Sequence, residues 1–266
     1  MSGHKTHMNT TNIHDFLEKT IKEGGALAQE YFRRGVTYTS KTNLGDLVTE
    51  ADKAVNQLFI DRITKEFPDH RIITEEAAPI GPADARYEWI IDPIDGTRNF
   101  AMGISVWCVM AAVYEDGEPK YAAIYNPLGN ELFFAGKGKG AVLNDLPIKV
   151  NEVSSLDFGF GFCVRGFNNT MFEERFARSV SRIALETTVW MHNFGTMLPS
   201  CYVASGGGDF FFNNSGYDHD YAATALICAE AGALVTDCDG NPWKRGRRDI
   251  VIANPKLHPK VLELLK

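Results

Sequence analysis

Several things are scarce in this chain of 266 residues, and each shortage excludes something. No apolar run approaches the roughly 20 residues a membrane-spanning helix requires, so no membrane partner is expected. Met1–Thr10 is polar and lacks the apolar core of a secretory leader, which points to a cytoplasmic protein. Residues 1–11 read as a disordered start, and the helical spacing of His4 and His7 belongs to that end rather than to a metal pair. The five cysteines are scattered, odd in number and without a Cys-x-x-Cys pair, the pattern of reduced structural thiols. Positive charge is short as well: 27 Lys and Arg face 34 Asp and Glu, a net charge of -7. A general nucleic-acid binder needs a basic face, so no nucleic-acid partner is expected. The basic cluster Lys244-Arg245-Gly246-Arg247-Arg248 reads as a solvated turn. Gly136 to Gly140 lacks the spacing and the following helix of a phosphate loop, and reads as a hairpin turn. No serine–histidine or cysteine–histidine arrangement and no dinucleotide fingerprint is recognisable.

What is present suffices for one large domain or two intimate subdomains. Ile13 to Phe32 has the apolar spacing of an amphipathic helix, interrupted by Gly24-Gly25, where small residues would permit a close crossing. A second helix carries Val55, Leu58, Phe59, Ile63 and Phe67 on one face. Ser105–Tyr114, Tyr121–Tyr125, Glu131–Ala135 and Ala141–Leu143, separated by turn residues, predict an antiparallel meander. A composition shift near Lys149 to Leu156 predicts a boundary between an N-terminal α+β subdomain, residues 12–150, and a C-terminal α/β subdomain, residues 151–266. In the second half, helices are expected over Thr170–Leu185 and Gly195–Ala204. Strands are expected at Thr187–Met191, Asp209–Asn213 and Asp249–Ala253, with a helix opening near Asp218 and another closing the chain.

The most informative stretch is Glu88-Trp89-Ile90-Ile91-Asp92-Pro93-Ile94-Asp95-Gly96-Thr97-Arg98-Asn99-Phe100. Trp89 to Ile91 read as a buried strand ending at Asp92, because Pro93 cannot donate to a ladder and turns the chain. Asp95-Gly96 is a turn signature. Two carboxylates three residues apart on such a turn would point into one small volume, where they repel unless a cation intervenes. Hard oxygen ligands on short stiff linkages suit Mg²⁺, with Mn²⁺ possible.

Here the sequence resembles the inositol monophosphatase family, within the lithium-sensitive magnesium-dependent phosphatases. Further stretches match in order: Asp46-Leu47-Val48-Thr49-x-x-Asp52, the pair Glu75-Glu76, and Asp220 followed by Glu230-Ala231-Gly232. Taken alone, Asp52 reads as a helix-start residue stabilised by the helix dipole, and Glu75-Glu76 as solvated surface at a strand end. Thr74 stands where the family has glycine, His219 where it has tryptophan, and Asp218 or His219 could join the site beside Asp220.

The resemblance implies a layered α-β-α-β-α sugar-phosphatase fold of the α+β class, a homodimer, and inhibition by lithium. It implies two or three Mg²⁺ ions per subunit, held by Glu75, Asp92, Asp95, Asp220 and the Ile94 carbonyl, with Glu76 at a weaker third site. Asp52 and Thr97 would orient the attacking water, with Glu75 beside them as a catalytic ligand. Substrate contacts would come from Asp95, Gly96, Thr97, Arg98, Asn213, Asp220 and Lys41. Asn213 replaces the glutamate with which the inositol enzymes bind ring hydroxyls, losing a charge-assisted acceptor. The expected reaction is Mg²⁺-dependent hydrolysis of a small phosphate monoester, foremost inositol 1-phosphate. Histidinol phosphate, fructose 1,6-bisphosphate and 3′-phosphoadenosine 5′-phosphate are relatives' substrates. A metal-stabilised scaffold that binds a partner is the non-enzymatic alternative.

Overall fold

The computed structural model of the chain describes residues 12–35, 37–40, 47–165 and 170–266. Helix α1 (Ile13–Arg34) opens on Asn12, whose side chain accepts the His14 N–H at 3.1 Å, and runs two residues beyond the expected Phe32. Its inner face is built for close approach. A Cβ on Gly24 would lie 3.0 Å from the Phe59 ring, and one on Gly25 only 2.4 Å from Tyr125. The short strands β1 (Tyr38–Ser40) and β2 (Leu47–Thr49) pair antiparallel and lead into α2 (Glu50–Glu66). A capping box starts α2: the Thr49 hydroxyl accepts from the helix amides, and the Asp52 carboxylate accepts the Thr49 N–H at 2.8 Å.

The first sheet has seven strands in the order β3-β4-β5-β6-β7-β8-β9. These are β3 (Arg71–Thr74), β4 (Tyr87–Asp95), β5 (Cys108–Glu115), β6 (Glu118–Asn126), β7 (Glu131–Gly136), β8 (Gly140–Leu143) and β9 (Leu146–Ile148), with α3 (Thr97–Ala101) between β4 and β5. All neighbours but the parallel pair β3–β4 are antiparallel, the expected meander with one strand more at its edge. One expectation is corrected. Strand β4 does not end at Asp92 but continues to Asp95 through a register shift. Asp92 faces Met110 and Asp95 faces Cys108, so β4 carries one extra residue there. Such a bulge takes up Pro93, which has no N–H for the ladder.

The second sheet has five strands in the order β11-β10-β12-β14-β13. It comprises β10 (Phe160–Val164), β11 (Trp190–His192), β12 (Phe210–Asn213), β13 (Leu234–Thr236) and β14 (Ile250–Ala253). Helices α4 (Thr170–Glu186), α5 (Leu198–Ala204), α6 (Asp218–Glu230) and α7 (His258–Leu264) accompany it. Helix α5 starts later than the expected Gly195, and β11 sits one to three residues later than its expected span.

Strand alternation sorts the apolar side chains into three cores. Val109, Ala111 and Val113 of β5 face α1 and α2, together with Leu17, Phe59 and Trp89. Met110 and Ala112 of the same strand face the other way, into a core filled by Leu198, Ala222, Ala223, Leu226, Ile227, Phe211 and Ile252. Phe210, Phe212 and Val251 point outward onto Phe176, Ile183 and Val261 of α4 and α7. Three cores between helices and two sheets give five layers, α-β-α-β-α. Helix α6 lies in the middle layer.

Candidate active site

Each side of the site begins with local chemistry. In the bulge of β4, the Ile94 N–H donates to Asp92 Oδ1 at 3.1 Å. Gly96 follows with φ +89, a left-handed pose in which a Cβ would meet Thr196 at 3.1 Å and the Val106 carbonyl at 3.2 Å. That turn starts α3, and its first residue, Thr97, sets Oγ1 2.9 Å from the Ile94 carbonyl and 3.2 Å from Asp52 Oδ1. Asp52 is held from behind, its Oδ2 accepting both the amide and the hydroxyl of Thr49. From the middle layer, α6 presents Asp220, whose Oδ2 accepts the Tyr217 N–H at 2.6 Å.

These elements meet around a cavity of about 230 Å³, lined on one side by Glu75, Asp92, Ile94, Asp95, Gly96, Thr97, Arg98 and Asp220. Carboxylate oxygens of Asp92, Asp95 and Asp220 come within 4.8 Å of one another. Asp95 is gripped from both halves of the chain: its Oδ2 accepts from the Thr196 hydroxyl and the Met197 N–H, the latter at 2.6 Å, and from Cys108 Sγ of β5 at 3.3 Å.

Burial dominates the electrostatics. Desolvation, reinforced by the charge of Glu75 and then Asp95, pushes the Asp92 carboxyl well above the carboxylate range. Asp95 is pushed up to about 7 by burial and by Asp220, against the opposing hydrogen bonds of Thr196, Met197 and Cys108. Asp220 and Asp52 are raised too, burial again being the largest cause. Among the described residues no Lys or Arg pairs with Asp92 or Asp95, and the nearest base to Asp220 is His219, at 3.7 Å. Buried Asp92 and Asp95, paired with no Lys or Arg among the described residues and offering hard oxygen donors together with Asp220, fit a divalent ion such as Mg²⁺ or Mn²⁺.

The sequence-predicted residues divide clearly. Glu75, Asp92, Ile94, Asp95, Gly96, Thr97, Arg98, Asn213 and Asp220 all line the cavity, and Asp52 bonds to one of them. Glu76 is not among the lining residues. Lys41, with Asp46, lies outside the described residues. Asn213 is 4% exposed, and its Oδ1 accepts the Ser215 N–H at 2.9 Å. Asp218 turns away from the cluster: it accepts from Arg245 at 3.2 Å and from the Gly246 N–H at 2.7 Å. Sequence reasoning missed Thr196, Met197 and Cys108. Their signal is three-dimensional, since 101 residues separate Thr196 from Asp95.

Comparison with known proteins identifies the family. The sequence profile of the inositol monophosphatase family matches residues 9–266. The chain is 35% identical to the Nus factor SuhB of Haemophilus influenzae over 238 residues, covering 88% of this chain and 87% of that one. Its fold is similar to that of an IMPase from Thermotoga maritima, with a TM-score of 0.85, 31% identity and coverage of 94% and 95%. The extragenic suppressor protein suhB of Bartonella henselae is similar too, with a TM-score of 0.89, 26% identity and coverage of 96% and 98%. A profile match spanning nearly the whole chain, on a fold shared at this level, means that the chain belongs to the inositol monophosphatase family.

Proposed function

We propose that the protein is a divalent-metal-dependent phosphatase that hydrolyses a small phosphate monoester, inositol 1-phosphate being the first substrate to try. The observation that carries this reading is the convergence of Glu75, Asp92, Asp95 and Asp220 on one cavity with the Asp52–Thr97 pair beside it. Asp92, Asp95, Asp220, Glu75 and the Ile94 carbonyl would hold Mg²⁺. When bound, the metal lowers the pKa of water and neutralises charge on the phosphoryl oxygens.

The chain's own residues account for the rest. Thr97 has hydroxyl lone pairs with which to accept from the attacking water, and it can pass a proton to Asp52, whose raised affinity for protons suits a general base. The opening amides of α3 have no partner inside the helix and, with Gly96, Thr97 and Arg98 lining the cavity, would be available to the phosphate. Arg98, on the same rim, is available to the ester's charge.

The decisive experiment is phosphate release from inositol 1-phosphate, histidinol phosphate, fructose 1,6-bisphosphate and 3′-phosphoadenosine 5′-phosphate. Each is run with Mg²⁺ and with chelator. Release with Mg²⁺ alone, lost in Asp95→Asn, supports the reading; silence on every ester sinks it.

A second reading, partner binding, is favoured by the relatives that bear the name Nus factor. It predicts a complex that survives Asp95→Asn unchanged. A homodimer belongs to the proposal as well. Exposed Met102, Ile104, Phe158, Phe160, Trp190 and Phe194 support it, with Phe160 opposite Trp190 on β11, the edge strand of its sheet among the described residues.

A further inference from the structure

The side-chain amide of Asn99, on α3, donates to two carbonyls at once: Val106 O at 2.7 Å and Phe194 O at 2.6 Å. Those carbonyls come from distant parts of the chain. Two residues after Val106 comes Cys108, and two residues after Phe194 comes Thr196, and both of these donate to Asp95 Oδ2. A single NH₂ group therefore holds, two residues upstream in each case, the two segments that close on one carboxylate oxygen. The rest of the turn is equally tied. The Asn99 carbonyl accepts the Ile104 N–H at 2.8 Å, and the Val106 carbonyl borders Gly96, next to Thr97.

We propose that Asn99 is the positioning residue of the metal cluster: it sets the spacing between the start of β5 and the Phe194–Met197 segment, and thereby the orientation of Asp95. This rests on the metal-dependent reading above. Asn99 itself touches neither the cavity nor any acid of the cluster. Its effect passes through Cys108, Thr196 and Met197, and it extends to Thr97 because both residues lie on α3.

The chemistry singles out the amide. Only a group with two N–H bonds diverging from one atom satisfies both carbonyls. A carboxylate of the same shape would face two carbonyl oxygens with no proton to offer, whereas alanine merely leaves them to water. The order of damage in metal affinity is therefore Asn99→Asp worse than Asn99→Ala. A space-filling role predicts the reverse, since Asp conserves the volume.

The test is Mn²⁺ binding followed by electron paramagnetic resonance on the full chain, with circular dichroism and thermal melts as folding controls. Asn99→Asp is expected to weaken Mn²⁺ by about tenfold or more, within the range for outer partners of metal ligands. Asn99→Ala should weaken it less, and Thr196→Val should weaken it as well. Combined with Asn99→Asp, Thr196→Val should add less than its separate effect, because both act on one grip. In turnover, the loss should fall on kcat rather than KM.

Wild-type affinity in a folded Asn99→Asp protein would overturn the proposal, as would Asn99→Ala binding more weakly than Asn99→Asp. Should Asn99→Asp not fold, Asn99→Ala with Thr196→Val decides by their coupling: full additivity refutes a shared grip. If wild-type protein itself binds no Mn²⁺, the metal-dependent function fails first, and this proposal with it.

Discussion

Three donors crowd onto one oxygen of Asp95, and that arrangement makes its ionisation a property of the whole site. The carboxyl sits at about 7 in the metal-free protein, against about 4 for a solvated aspartate. A folded-state value above the unfolded one means that the fold favours the proton-bound form. The stability this contributes is complete below about pH 4 and is lost as pH rises through 7. Asp92, Asp220 and Asp52 shift the same way. Metal-free protein should therefore melt at a lower temperature at pH 8 than at pH 5. Saturating Mg²⁺ should raise Tm more at pH 8, and calorimetry in buffers of differing ionisation enthalpy should detect proton release on binding. A Tm that rises from pH 5 to pH 8 without metal would contradict the buried-acid account. At the same scale, Asp52→Asn should lower kcat by about 10²–10⁴ while leaving Mg²⁺ affinity nearly intact, the signature of a lost proton acceptor.

Among the elements, α2 combines two duties. Its capping box satisfies the helix start, and the same carboxylate that accepts the Thr49 amide faces Thr97 with its other oxygen. Thr49→Ala should cost about 0.5–2 kcal/mol by urea unfolding and also slow turnover, because Asp52 loses the hydroxyl that holds it. Helix α1 makes a purely structural contrast. A methyl group on Gly25 would overlap the Tyr125 ring, so Gly25→Ala should destabilise by roughly 1–3 kcal/mol and leave Mg²⁺ dependence unaltered.

How much could be read from the chain alone also varies by element. The helix periodicities, the meander and the motif around Asp92 were legible because their signals are local. The run of β4 past Pro93 was not, because a bulge depends on what β5 does opposite. Gly195–Met197 carries small residues that suit a helix as well as a loop, and only the fold sends Thr196 to Asp95. In the run Asp218-His219-Asp220, only the spacing to Glu230-Ala231-Gly232 favours the last residue. Arg245 separates them by pairing with the first.

At the scale of the molecule, the acidic site and the exposed aromatic surface meet at Phe194, which is 39% exposed while Thr196, two residues on, is 1% exposed. Trp190, at 64% exposure, is the prominent side chain of that surface. Sedimentation should find a dimer for the wild type and a monomer for Trp190→Glu; a monomeric wild type at micromolar concentration would refute the proposed homodimer.

Helix α6 carries a last consequence. Its first turn supplies Asp220, and its body lies between the two sheets on Ala222, Ala223, Leu226 and Ile227. One residue's slip along such a helix is a displacement of about 1.5 Å, enough to spoil a metal ligand's reach. The apolar interior thus acts as a ruler for the chemistry. Enlarging Ala223 without trimming what it touches would register as a fault in metal binding before it registered as unfolding, and a compensating truncation across the layer would restore both.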